Sequence, residues 1–100
     1  MDMELAHRML DTVAAIPPGR VSTYGDVAAR AGSRSPRLAG FVLSQLADEG
    51  TPWHRVLRSD GTPAPHLAPE QLARLRAEGV PAVAGRVDLR RYRWVERPPG

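Results

Sequence analysis

The chain has 100 residues, of which 42% are hydrophobic, and this is enough for one small domain with a single core but too little for two. It contains no cysteine, which excludes disulfides, thiolate metal sites and a cysteine nucleophile. All 14 basic residues are arginine, the net charge is +3 and the isoelectric point lies near 10.5. This balance favours nucleic acid as a partner, because arginine binds phosphate bidentately and stacks on bases.

No segment approaches the ~20 consecutive apolar residues of a membrane span. The first ten residues carry Asp2, Glu4 and Arg8, so they lack the apolar core of a secretory signal. We therefore expect one domain over residues 1–100, monomeric and without a membrane partner, that resides in the cytoplasm and associates with the nucleoid. We also expect neither a metal ion nor a cofactor.

The first predicted helix covers Met3–Ala15, with Asp2 as its N-cap and an apolar residue every three to four positions. Pro17, Pro18 and Gly19 end it. A short extended segment over 20–22 comes next.

Two further helices joined by a short turn form a predicted helix-turn-helix. Thr23 caps the first of them, over 24–31, and Gly32 fits the position just after its end. Ser35 caps the second, Pro36–Leu46, which begins with proline as many helices do. In a DNA-binding domain of this kind, the second helix is the one that meets DNA.

The second half of the chain is predicted to hold one more helix among shorter segments. The helix covers 69–78 and ends at Gly79. The other predicted segments are an extended or turn stretch over 53–58, a loop over 62–68, an irregular or weakly extended stretch over 80–87, a docked tail over 88–95 and a frayed end over 96–100. The pattern as a whole predicts a mainly α fold, a winged helix-turn-helix with short extended segments.

Three motifs occur in order: Ile-Pro-Pro-Gly-Arg-Val-Ser-Thr-Tyr-Gly-Asp-Val-Ala at 16–28, Ser-Pro-Arg-Leu-Ala-Gly at 35–40 and Pro-Trp-His-Arg-Val at 52–56. Together they resemble the DNA-binding domain of the O6-alkylguanine-DNA alkyltransferases. In that family the third motif reads Pro-Cys-His-Arg-Val, and its cysteine accepts the alkyl group from a flipped guanine. Here Trp53 occupies the cysteine position. With the terminal motif at 88–94, this substitution resembles the alkyltransferase-like proteins, which bind O6-alkylguanine without removing the alkyl group and flag it for nucleotide excision repair.

The resemblance implies a lesion pocket around Trp53 and no catalytic residue. The Trp53 indole is a stiff apolar surface with one N–H donor, and stacking a base on such a ring contributes ~1–3 kcal/mol. The other residues that the resemblance assigns to the pocket are Pro52, His54, Arg55, Val56 and His66. In some alkyltransferase-like proteins, an arginine near the position of His66 senses the electrostatics of the guanine edge.

The resemblance also implies that a former catalytic relay is retained. In the alkyltransferases the histidine at the position of His54 deprotonates the cysteine through a water and is oriented by a glutamate, which Glu78 matches. Without a thiol to activate, His54 and Glu78 are expected to hold the pocket by hydrogen bonds. Arg55 is expected to pin the segment to backbone or to a carboxylate.

The predicted DNA contacts centre on Arg37, which matches the family's arginine finger. An arginine inserted through the minor groove would fill the gap left by a flipped base, whose unstacking costs a few kcal/mol. Tyr24 matches the tyrosine that crowds the 3′ phosphate and helps to rotate the nucleotide out. Further phosphate contacts are expected from four residues near the two helix starts, Ser22, Thr23, Arg34 and Ser35.

Two alternatives remain open from the residues alone. A winged-helix regulator that reads base sequence in the major groove would explain the helix pair and the charge, but not the Pro-Trp-His-Arg-Val motif. A glycosylase would need a general base, for which His54 with Glu78 is the one available pair. The stretch 47–50 also lacks the asparagine that serves the active alkyltransferases as a hinge, which agrees with a loss of alkyl transfer.

Overall fold

The computed structural model describes residues 2–95; the predicted frayed end over 96–100 lies outside them. Five helices and two short strands are arranged along the chain in the order α1 (Met3–Ala15), β1 (Ser22–Thr23), α2 (Tyr24–Arg30), α3 (Pro36–Leu46), β2 (Val56–Leu57), α4 (Ala68–Ala77) and α5 (Leu89–Tyr92). Single 3₁₀ turns at Trp53–Arg55 and Pro65–Leu67 precede β2 and α4. The predicted mainly α fold, with a helix-turn-helix and short extended segments, is confirmed.

The starts of α1, α2 and α3 are set by side-chain caps that the sequence predicts. Asp2 accepts a hydrogen bond from Leu5 N at 3.1 Å, and Thr23 Oγ1 accepts one from Asp26 N at 3.1 Å. Ser35 Oγ does the same for α3, at 3.0 Å from Leu38 N. Each cap satisfies an amide that has no partner within its helix.

The main core joins α1, α2 and α3. Met9 and Val13 of α1 pack with Val27 of α2 and with Ala39 and Val42 of α3, and all of them are buried. A second apolar cluster lies around α4 and includes Val21, Leu57, Leu75, Val80 and Val87. The helix-turn-helix therefore packs on α1. The region around α4 has an apolar cluster of its own.

Short extended segments connect these two cores. β1 pairs in parallel with β2, with Ser22 opposite Val56 and Thr23 opposite Leu57. The tail docks beside β1, because Val21 N donates to Tyr92 O at 2.9 Å and Trp94 N donates to Val21 O at 2.7 Å. The predicted docking of the tail is confirmed, and it places residues 92–94 beside β1.

The structure adds three details to the sequence prediction. The fourth helix begins at Ala68, directly after the 3₁₀ turn at Pro65–Leu67, because that turn already brings the chain into helical geometry. The stretch 80–87 contains a tight turn in which Val83 and Arg86 exchange two backbone hydrogen bonds. Gly61 adopts φ +85°, and a Cβ there would lie 2.4 Å from Val87 O, so only glycine fits where this stretch crosses the turn after β2.

No helix within residues 2–95 is long and apolar enough to cross a membrane.

Candidate nucleic-acid interface

The exposed edge of the helix-turn-helix carries the arginines that the sequence singles out. Arg37 lies in the first turn of α3 and is exposed, and Arg34 is exposed in the turn before it. Ser35 is partly buried and its hydroxyl caps α3. The positive end of the helix dipole lies at the helix start and does not stabilise a cation there. The position of Arg37 therefore adds little to the stability of the fold.

The structure does not support two of the predicted phosphate contacts. Ser22 is fully buried in β1, and Thr23 is 5% exposed with its hydroxyl engaged as the cap of α2. Neither hydroxyl reaches the surface, because β1 is covered by β2 and by the docked tail. Among the described residues, Ser22 Oγ has no hydrogen-bond partner.

An open cavity of about 870 Å³ lies between α3, the segment after it and the start of α4. This volume falls within the usual range of ligand pockets and leaves room for a base with a substituent. Eleven residues line it: Tyr24, Gly40, Leu43, Ser44, Ala47, Asp48, Glu49, Trp53, His66, Leu67 and Arg74. The structure thus brings Tyr24, Trp53 and His66 to one cavity, although the first and the last are 42 positions apart in the sequence.

Trp53 presents its ring to this cavity from the first position of a 3₁₀ turn. Its amide donates to Thr51 O at 2.8 Å, and its carbonyl accepts the amide of Val56, so the turn is closed at both ends. The ring is partly buried and meets the His54 ring edge to face, with centroids 6.2 Å apart. One large aromatic surface therefore remains available to the cavity.

Four residues predicted to line the lesion pocket do not line the cavity. Val56 is fully buried in the main core, and Pro52 contributes only to the turn that carries Trp53. His54 and Arg55 point the other way, toward Glu78. The physical reason is the geometry of the 3₁₀ turn, which directs Trp53 to the cavity and the three residues after it to the interior.

Glu78 is the centre of a polar cluster behind the Trp53 turn. Its Oε2 lies 2.8 Å from His54 Nε2 and 2.7 Å from Arg55 Nη2, and its Oε1 accepts from Gly19 N at 3.3 Å. Arg55 Nη1 also donates to Ile16 O at 2.9 Å. The hydrogen bonds from Arg55, ahead of those from His54 and Gly19, lower the pKa of Glu78 from 4.5 to about 2. The carboxylate therefore ties the end of α1, the Trp53 turn and the end of α4 together.

Sequence reasoning missed Gln71, which holds the same turn from α4. Its side chain is 1% exposed, and its Nε2 donates to His54 O at 3.0 Å and to Val56 O at 2.7 Å. Gln71 precedes the buried Leu75 by four residues, so helical periodicity places both on one face. That spacing is the signal that could have identified it.

Arg74 was also missed, although it packs over the Trp53 ring. Its guanidinium carbon lies 5.5 Å from the ring centroid, while Nη2 pairs with Glu70 Oε1 at 2.9 Å one turn earlier in α4. This i, i+4 pair is about half exposed and contributes little stability. Arg74 thus adds a cation to the wall of the cavity beside Trp53.

Tyr24 opens α2 and lines the cavity from the side of the helix-turn-helix. Burial raises the pKa of its hydroxyl, and the nearby Arg58 only partly offsets this. The hydroxyl is therefore a neutral hydrogen-bond donor at physiological pH. A neutral donor at a helix start suits contact with a phosphate oxygen.

Comparisons with known proteins agree with this architecture. The family model described as 6-O-methylguanine DNA methyltransferase, DNA binding domain, matches residues 4–80. A relative from Escherichia coli called DNA base-flipping protein is 50% identical over 93 residues, spanning 87% of this chain and 71% of its own. Alkyltransferase-like protein 1 of Schizosaccharomyces pombe is 43% identical over 61 residues, spanning 59% of this chain and 56% of its own. A crystal structure of S. pombe Atl1 in complex with damaged DNA containing O6-carboxymethylguanine superimposes with a TM-score of 0.84 at 32% identity, over 96% of this chain and 99% of that one.

Proposed function

This chain belongs to the family of the 6-O-methylguanine DNA methyltransferase DNA-binding domain, and we propose that it binds O6-alkylguanine in double-stranded DNA without removing the alkyl group. The lesion nucleotide is rotated out of the helix into the cavity beside Trp53. The observation that carries this proposal is that Trp53 holds an aromatic surface at the cavity. By the sequence resemblance, this is the position of the reactive cysteine of the alkyltransferases.

The surroundings of Trp53 support a binding role. His54 and Glu78 remain hydrogen-bonded to each other, but they lie behind the turn and fix its position. The flat ring is then presented as a rigid wall, on which a flipped base or its alkyl group can pack. Rigid presentation favours binding, because little side-chain freedom is lost when the base arrives.

Alkyl transfer requires a nucleophile at the site, and the chain has no cysteine to provide one. The hydroxyl of Ser44, which lines the cavity, donates to Phe41 O at 2.8 Å, and the pKa of the Tyr24 hydroxyl is raised by burial. His54, which matches the histidine that activates the cysteine in the alkyltransferases, faces Glu78 and is not directed at either hydroxyl. We therefore propose that the alkyl group stays on the DNA.

Nucleotide flipping is assigned to Arg37 and Tyr24. Arg37 is exposed at the start of α3, and no acidic residue occurs in that helix, so its guanidinium is free to enter the base stack. It fills the gap and hydrogen-bonds the orphaned cytosine, while Tyr24 contacts the phosphate of the rotated nucleotide. Arg34 and the amides at the start of α3 add phosphate contacts.

The complex of protein and lesion acts as a signal for repair in this proposal. Nucleotide excision repair proteins recognise it, because a bound protein that keeps a nucleotide flipped also holds a distorted duplex in place. The protein acts as a monomer of one domain, and it works in the cytoplasm in association with the nucleoid.

Two variants test separate parts of the proposal, the lesion pocket and the DNA contacts. Trp53→Ala is expected to lose most of the preference for an O6-methylguanine duplex over a plain duplex while keeping general affinity, because the wall for the lesion is gone and the DNA contacts remain. Arg37→Ala is expected to weaken binding to both duplexes. Fluorescence anisotropy titrations measure both effects. Full lesion preference in Trp53→Ala would show that the cavity wall is not the lesion site.

A further inference from the structure

The single phenylalanine of the chain is also its most exposed aromatic residue. Five aromatic residues occur in the sequence, and all of them lie within the described part. Four of these are partly buried, whereas Phe41 is 50% exposed. A single exposed apolar residue is common on folded surfaces, so the significance of Phe41 depends on its position.

Phe41 lies on the same edge of α3 as Arg37. Residues four apart on a helix share a face, and the axial rise between them is about 6 Å. The core-facing residues of α3, Ala39 and Val42, lie on another side of the helix. Beside Phe41, Gly40 and Ser44 line the cavity. Phe41 therefore stands next to the path from the proposed finger to the proposed lesion pocket.

The neighbours of Phe41 suit DNA better than an apolar protein partner. The exposed residues around it on α3 are Arg37, Ser44 and Gln45, so it does not belong to a contiguous apolar patch. The helix carries no acidic side chain that would repel phosphate. An isolated apolar ring beside a cation is the arrangement that minor-groove proteins use to unstack a base step.

We propose that Phe41 is an apolar wedge that enters the minor groove and opens the base step beside the flipped nucleotide. This inference rests on the proposed function, because it takes the placement of α3 on DNA from the role of Arg37. The rise of about 6 Å between the two side chains is close to two base-pair steps of about 3.4 Å. Arg37 fills the gap, and Phe41 kinks the duplex one to two pairs away. The kink widens the groove and lowers the cost of rotating the lesion out.

The experiment uses duplexes with one O6-methylguanine, and matched duplexes with guanine, that carry 2-aminopurine one, two or three pairs from the target on either side. Unstacking is read from 2-aminopurine fluorescence, and bending from energy transfer between end labels. Phe41→Ala is expected to lower affinity about tenfold, to reduce the bend and to abolish the fluorescence change at one position within two pairs of the target. Phe41→Leu keeps an apolar wedge and should retain a large part of both signals.

Leu46→Ala is the matched control, since Leu46 is also exposed on α3 but on another side of the helix. It should behave as the wild type. Thermal unfolding of each variant establishes that the fold is kept, as expected for an exposed position. Wild-type bending and wild-type 2-aminopurine signals in Phe41→Ala would overturn the inference, as would a loss of affinity with both signals unchanged.

Failure of the proposed function would look different. The wild type would then bind the alkylated and plain duplexes equally. The bend and the 2-aminopurine signals on the plain duplex would still decide whether Phe41 opens a base step.

Discussion

Glu78 should contribute a measurable share of the stability of the Trp53 turn, and this contribution should depend on pH. Its side chain is 17% exposed and accepts hydrogen bonds from Arg55, His54 and Gly19. The lowering of its pKa from 4.5 to about 2 corresponds to about 3 kcal/mol at 1.36 kcal/mol per pKa unit. Partial exposure to solvent reduces this, so we expect about 2 kcal/mol.

The sign is set by the pKa values of the two states. The folded-state pKa lies below the unfolded-state pKa, so the unfolded chain binds a proton more readily between pH 4.5 and about 2. The contribution of Glu78 is therefore present above pH 4.5 and is lost as the pH falls toward 2. Glu78→Gln should lower the free energy of unfolding by about 2 kcal/mol at pH 7, and the difference from wild type should shrink below pH 4.5.

Urea unfolding of the two proteins at pH 7, 5, 4 and 3 measures this difference. Glu70→Gln is the matched control, because Glu70 forms an exposed pair with Arg74 and its loss should cost less than about 1 kcal/mol. A difference between wild type and Glu78→Gln that stays constant from pH 7 to pH 3 would refute the reasoning. So would equal stability of the two at pH 7.

Three further predictions concern the turn, the site and the charge. Gln71→Met should destabilise the fold by about 1–3 kcal/mol in urea unfolding, because two buried carbonyls lose their donor; unchanged stability would mean that they find other partners. Trp53→Cys should not restore full alkyl transfer in a mass-spectrometric assay, because the stretch 47–50 lacks the hinge asparagine, and full recovery would show that the thiol alone suffices. The logarithm of the DNA association constant should fall linearly with the logarithm of the salt concentration, with a slope of about −0.9 per phosphate contact. An affinity insensitive to salt would argue against the phosphate contacts of Arg34.

The helical framework could be predicted from local signals. Asp2, Thr23 and Ser35 each precede a helix that they cap in the structure, and Pro36 starts α3 as expected. Caps and prolines act on neighbouring backbone groups, so their effect is written in a few consecutive residues. The start of α4 was predicted less accurately, because a 3₁₀ turn leads into it without a side-chain cap.

The candidate site could be predicted only in part, because its composition depends on contacts between distant residues. The motif 52–56 predicts that five consecutive residues line the pocket. In the structure, Trp53 lines the cavity, whereas His54 and Arg55 point to the interior. Arg74 reaches Trp53 from another helix, and no local pattern marks that approach.

Buried hydroxyls are a second limit of sequence reasoning. Ser22 and Thr23 have the chemistry of phosphate ligands, yet the pairing of β1 with β2 encloses them. Pairing between segments more than thirty residues apart is a property of the fold. The residue types alone therefore do not show that these two hydroxyls are buried.

The central claim is that this protein holds an alkylated guanine and leaves it intact. Its most direct test is a titration of the wild-type protein with two duplexes that differ only in one O6-methyl group, and then mass spectrometry of the protein and the DNA. We predict an affinity about tenfold or more higher for the O6-methylguanine duplex, with the methyl group still on the base after incubation. Equal affinity for the two duplexes, or a methyl group recovered on the protein, would contradict the account.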